Sequence, residues 1–240
     1  MAGFLYYFFT MIEAKNLSKH YKQNVALKGL NLHVNAGSIY ALLGANGAGK
    51  STTVNLFMGF AIATNGTASI NGIAVGASTK KYIAYIPENV MLYPHLSGLQ
   101  NLQFFSGLNN TKYSDQELTS LLNKAGLQPN AHKNKVGTYS KGMRQKVGIA
   151  LALAKNAKAL FLDEPTSGLD PLASNEFSAI LKSLKDQGVA ILMVTHDLFR
   201  AKETADIIGI MKQGELVKEV LANNVSSLQL EELYMSVSRA

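Results

Sequence analysis

The chain of 240 residues has no cysteine, which excludes a disulfide framework, a thiolate nucleophile and a Cys-based zinc site. Cysteine usage therefore carries no mark of a redox compartment. There is also no apolar run long enough to cross a bilayer. The segment from Gly3 to Ile12 (GFLYYFFTMI) is too short, and no basic residue precedes it as a secretory signal requires. Having no charged face, it also makes a poor interfacial helix. Residues 1–10 are expected to be a loose tail, with Met11 a candidate first residue. The formal charge of +7 would suit nucleic acid or an anionic membrane surface, but Lys and Arg are scattered without a continuous basic run. No internal repeat and no low-complexity linker interrupts the chain. Its length suits one sizeable domain with an inserted subdomain.

What is present begins with Gly44-Ala45-Asn46-Gly47-Ala48-Gly49-Lys50-Ser51-Thr52, set between the apolar run Ser38 to Leu43 and a helix-like segment. Strand, glycine-rich loop and helix in that order make a phosphate-binding loop. Its backbone N–H groups cradle phosphate oxygens, Lys50 reaches the terminal phosphates and the Ser51 hydroxyl ligates Mg²⁺. The helix that follows presents its positive end to the anion. A nucleoside triphosphate is implied, while kinases, GTPases, helicases and transport ATPases all stay open.

Apolar runs at 38–43, 82–86, 159–162, 189–195 and 207–211 predict strands, several buried on both faces. Helical patterns at 50–60, 174–187 and 197–205 alternate with them, as in a mostly parallel sheet. Early strands near 12–17, 26–34 and 67–70 suggest a smaller antiparallel layer. The stretch 89–158, with amphipathic segments at 99–108 and 115–125, is too long for a crossover loop and predicts an inserted helical subdomain. A terminal helix is expected at 228–237.

Two further strands end in chemistry. Ala159 to Leu162 runs into Asp163 and Glu164: Asp163 is placed to hold Mg²⁺ through its waters, and Glu164 to align or deprotonate an attacking water. Val189 to Thr195 ends at His196, whose neutral imidazole would donate to the γ-phosphate and orient Glu164. In Tyr139-Ser140-Lys141-Gly142-Met143-Arg144-Gln145-Lys146, Ser140 is suited to cap the helical run Val147 to Ala154, and Gly142 lets backbone approach an anion.

In their order GANGAGKST, YIPEN, YSKGMRQK, LFLDEPTSGLD and a strand ending in TH, these pieces resemble the nucleotide-binding domain of ATP-binding cassette (ABC) transporters. The resemblance implies an α/β, P-loop NTPase (RecA-like) core with a mostly parallel sheet, a small antiparallel β subdomain and an inserted helical subdomain. One such domain would span 11–240, with its core at 11–88 and 159–222 and helices at 89–158. It further implies an ATPase using ATP and Mg²⁺ on the cytoplasmic face of the membrane, working with an integral membrane permease and a second ATPase subunit, and no nucleic acid partner. Tyr21 would stack on adenine. Ser140 and Gly142 would cap the γ-phosphate of ATP held by the partner, and the loop Ser167-Gly168-Leu169-Asp170 would sense the opposite subunit. The permease would dock on the helices and the YIPEN segment, near Met91, Leu92 and Tyr93. Soluble ABC ATPases acting on ribosomes or damaged DNA are the rival class, but they usually fuse two cassettes or insert a long coiled coil, and neither is visible.

Two departures stand out. Glu88 occupies the place of the usual glutamine, which touches Mg²⁺ and the attacking water; a carboxylate still ligates Mg²⁺, with an altered metal dependence implied. Tyr139, Lys141 and Met143 replace three of the five residues of the usual LSGGQ signature. Together they resemble the exporter-type branch whose ATPase is a separate polypeptide, which includes transporters of antibiotics, sodium and lipids. The 87–98 segment also resembles the ATPase that serves copper-site maturation of nitrous oxide reductase.

Overall fold

The computed structural model describes residues 10–108 and 112–239. The chain begins with an antiparallel pair, β1 (Thr10–Tyr21) and β2 (Asn24–Asn35), followed by β3 (Ile39–Gly44), α1 (Lys50–Phe57), β4 (Asn65–Ile70), β5 (Ile73–Ala74) and β6 (Ile83–Ile86). Three helices come next, α2 (Gly98–Gly107), α3 (Asp115–Lys124) and α4 (Lys141–Ala154). Then β7 (Ala159–Asp163), α5 (Pro171–Asp186), β8 (Ala190–Thr195), α6 (Leu198–Thr204), β9 (Ile207–Lys212), β10 (Glu215–Leu221) and α7 (Ser227–Arg239) complete the chain. No helix among the described residues is long and apolar enough to cross a membrane.

The strands form two sheets, ordered β2-β1-β4-β5 and β10-β9-β3-β8-β7-β6. The first is antiparallel; the second is parallel except for β10. Every residue of β3 and β8 is buried, which explains their unbroken apolar sequences. Alternate side chains go to opposite faces. Tyr40, Leu42, Phe161 and Leu192 pack with Ile12, Leu30, Leu32 and Phe57 on the antiparallel-sheet side. Ile39, Leu43, Leu160 and Ile191 pack with Val147, Ile149, Phe177 and Leu181 on the other. The register pairs Leu43 with Thr195 and Asp163 with Val194, so the C-terminal ends of β3, β8 and β7 lie side by side. In open α/β sheets that edge is where ligands bind.

Several boundaries differ from the sequence expectation. Thr10 already pairs with Asn35 in β1, so the expected tail loses its last residue; residues 1–9 lie outside the described residues. Helix α1 stops at Phe57 rather than Phe60: Gly59 turns left-handed (φ 71°), and the N–H groups of Phe60 and Ala61 both return to the Asn55 carbonyl. Helix α4 starts six residues before Val147, where Lys141, Arg144, Gln145 and Lys146 are polar and give no apolar period; the Ser140 cap marks the true start. Strand β10 was not expected, since its residues are only half-buried or exposed. It is paired through a two-residue turn in which Gln213 and Gly214 have φ 47° and 85°, the geometry of a tight hairpin.

Candidate active site

The phosphate loop joins β3 to α1. Gly49 caps the helix at φ 106°, and a Cβ there would sit 2.8 Å from the Ala26 carbonyl oxygen, so the position excludes side chains twice over. The loop rests on the β9–β10 turn, whose Gly214 N–H donates to the Ala48 carbonyl at 2.9 Å. Lys50 is buried, and its ammonium donates to the carbonyls of Gly44 and Ala45. Burial lowers its pKa, while the nearby carboxylates of Glu164 and Asp163 oppose that shift.

A cleft of about 500 Å³ opens over this loop and is bounded by Tyr21, Val25 and residues 45–52. The structure thus brings Tyr21 and the loop residues Asn46 to Thr52 to one cavity. The Tyr21 ring is half exposed and carries the Lys19 ammonium 4.8 Å from its centroid. Gln213, which no motif marks, also lines the cleft.

Asp163 is the last residue of β7, and Glu164 follows it directly. Glu164 adopts φ 44°, an unfavourable backbone for a non-glycine residue, while its N–H still pairs with the Val194 carbonyl at 2.9 Å. The twist delivers its carboxylate to the tip of β8. There Oε2 accepts from Thr195 Oγ1 at 3.0 Å, and Oε1 lies 2.9 Å from His196 Nδ1. Asp163 Oδ2 accepts from the Tyr85 hydroxyl at 3.3 Å. Burial raises the Asp163 pKa, the Tyr85 bond and Lys50 oppose it, and the same burial with Asp163 pushes Tyr85 up to about 12. Tyr85 and Thr195 were not singled out in the sequence. Only their positions, one residue before a strand end and immediately before the histidine, hint at them.

The expectation for His196 needs correction. An ionised Glu164 accepts only, so Nδ1 must carry the proton of the bond between them. A neutral imidazole then has no second N–H, so it cannot donate to a γ-phosphate while it orients Glu164.

Ser140 and Gly142 do not join this site. Ser140 is exposed at the start of α4, where its Oγ accepts from the Met143 N–H at 3.2 Å; Gly142 packs toward Leu169 and Ala173. Tyr139 is buried, and its hydroxyl donates to the Ala131 carbonyl, which gives this departure from the signature a packing role. Glu88 Oε1 accepts from both Lys141 Nζ and Ser167 Oγ, each at 3.0 Å, and these bonds hold its carboxyl below the usual carboxylate range.

Residues 27–167 match the family described as ABC transporter. The chain is 35% identical, over 93% of its length and 96% of the relative's, to the lantibiotic transport ATP-binding protein SrtF of Streptococcus pyogenes. It is 36% identical to the bacitracin transport ATP-binding protein BcrA of Enterococcus faecalis, over 91% of this chain and 70% of that one. The dimeric post-hydrolysis structure of an ATP-binding cassette bound to ADP and Pi superposes with a TM-score of 0.78 at 28% identity, covering 88% of this chain and 99% of that one. A phosphate loop beside one strand tip bearing His196 and a second bearing Asp163 and Glu164, on a fold shared with such cassettes, leads to one assignment: the chain belongs to the ABC transporter family, as an ATP-binding, ATP-hydrolysing subunit.

Proposed function

We propose that this subunit closes on a second copy around two ATP molecules, hydrolyses them, and thereby drives a separate membrane permease from the cytoplasmic face of the membrane. The observation that carries the reading is the Glu164 carboxylate, held by Thr195 and His196 one strand away from the Lys50 loop. In this account Lys50 exchanges its bonds with Gly44 and Ala45 for phosphate oxygens, and Tyr21 stacks on the adenine. Glu164 takes the proton of the attacking water, and His196 fixes the carboxylate in place for in-line attack. Ser140 and Gly142 sit apart from their own phosphate loop, so they serve the γ-phosphate bound by the partner. Loss of that phosphate removes the bridge, and the closed pair opens.

The oxygen donors fit Mg²⁺. Among the described residues no three His, Cys, Asp or Glu side chains gather as a cation cage. A hydroxyl from Ser51 and a carboxylate from Asp163 form the sparse set that suits an ion keeping its waters and sharing phosphate oxygens. Glu88 Oε1 is taken by Lys141 and Ser167, so its contribution to a cation would come from Oε2. Ser51 and Asp163 would hold Mg²⁺, which would supply neutralisation of the phosphate charge.

The permease would dock at a groove of about 600 Å³ between the segment after β6 and helices α2 and α4, bordered by Pro87, Met91, Leu92, Phe105 and Leu151. Met91 is 83% exposed there, and Tyr93 stacks on Phe105 beside it. The names of SrtF and BcrA favour peptide antibiotics as the exported cargo. Glu164→Gln tests the reading: ATP binding persists, hydrolysis stops and an ATP-dependent pair accumulates. Undiminished turnover removes Glu164 from the role of base.

A further inference from the structure

Two of the residues that depart from the family pattern, Glu88 and Lys141, meet. Lys141 and Gln145 stand one turn apart on the same face of α4, toward residues 87–88. Lys141 Nζ donates to Glu88 Oε1 at 3.0 Å, and Gln145 Nε2 donates to the Glu88 carbonyl at 3.0 Å. Gln145 is fully buried, and its Oε1 is the one buried side-chain polar atom left without a partner among the described residues, so the amide is spent on this segment. Ser167 Oγ adds a third bond, from the loop after β7 to the same Glu88 oxygen. One carboxylate therefore joins three segments: the turn after β6, the start of α4 and the loop 164–170.

The chemistry explains the pairing. A carboxylate at this place adds negative charge near Asp163 and Glu164, where a triphosphate must also enter, and like charges there repel it. An ammonium 3.0 Å away offsets that charge. With side chains 44% and 21% exposed, the pair contributes little to folding by itself, so its effect belongs to the site rather than to the core.

We propose that Lys141 is a positioning residue: together with Ser167 it holds and neutralises the Glu88 carboxylate beside the phosphate site, tying the segment after β6 to the signature helix and the 164–170 loop of the same subunit. This rests on the nucleotide site proposed above. The substitutions are compensatory, so Lys141 matters only while residue 88 is an acid.

A double-mutant cycle on the full chain tests this, using Lys141→Gln, Glu88→Gln, both together, and Lys141→Arg. The quantity read is the dissociation constant for ATP in the presence of EDTA, with thermal unfolding as a check that each variant folds. Lys141→Gln should weaken binding about tenfold beside Glu88, but less than about twofold beside Glu88→Gln, while Lys141→Arg stays within about twofold of the parent. Equal losses in both backgrounds, or a Lys141→Arg variant as weak as Lys141→Gln, would overturn the inference. A parent protein that binds and hydrolyses ATP while the losses are additive sinks the role of Lys141 alone. A parent that does not bind ATP sinks the reading of the site on which it rests.

Discussion

The phosphate loop and the Glu88 junction handle charge in opposite ways. The loop is made of backbone: Gly49 at φ 106°, buried Lys50 bonded to main-chain carbonyls, and a hairpin turn bracing it from behind. The junction is made of side chains, with an ion pair, a hydroxyl and an amide converging from three segments. A backbone cradle tolerates few residues, so its sequence is narrow and recognisable. A side-chain junction can be rebuilt by matched substitutions, and here both partners of the pair have changed.

The largest effects should come from the reacting edge. Glu164→Gln should lower kcat about a thousandfold, within the range for loss of a general base, with ATP affinity kept. Single-turnover hydrolysis checks this. Lys50→Ala should abolish measurable ATP binding by calorimetry; retained affinity would contradict the phosphate-loop assignment. A Gly49→Ala variant tests whether the cradle is as narrow as its geometry requires. Its Cβ meets the Ala26 carbonyl at 2.8 Å in a left-handed backbone, so binding should fall by about tenfold or more, with a lowered unfolding midpoint.

Tyr21→Ala should weaken ATP by about tenfold, the loss of one aromatic stack, and leave kcat nearly unchanged. Equal loss for a triphosphate lacking the base would remove the stacking role. The smallest effect concerns Asp163 in the nucleotide-free protein. Burial raises its folded pKa, so its ionised form disfavours folding above that pKa, and the cost disappears as pH falls below the unfolded value of about 4. Asp163→Asn should therefore raise the unfolding temperature at pH 8 and change it little near pH ~4.

Periodicity and turn chemistry made the core legible. The buried strands β3, β7 and β8 announce themselves as apolar runs, and the glycine spacing marks the loop between β3 and α1. Strand β10, an edge strand with half-buried and exposed residues, carries no apolar signal, and only the Gln213-Gly214 turn marks it in the sequence. The start of α4 carries no apolar signal either, its first turns being mostly polar. At the site, Asp163, Glu164 and His196 stood out as polar residues ending apolar strands. Tyr85 and Thr195 did not, because a tyrosine or threonine in a strand usually signals packing alone. The pairing of Glu88 with Lys141 spans 53 positions and no local pattern encodes it.

In the proposed pair, each ATP is sandwiched between the Lys50 loop of one copy and the Ser140 helix of the other. Light scattering of Glu164→Gln, with and without ATP and with Ser140→Arg added, tests it most directly. The protein should be a monomer without nucleotide, a dimer holding two ATP molecules with it, and a monomer again once Ser140→Arg is added although ATP remains bound. A Glu164→Gln protein that binds ATP yet stays monomeric, or that dimerises regardless of Ser140→Arg, would contradict it.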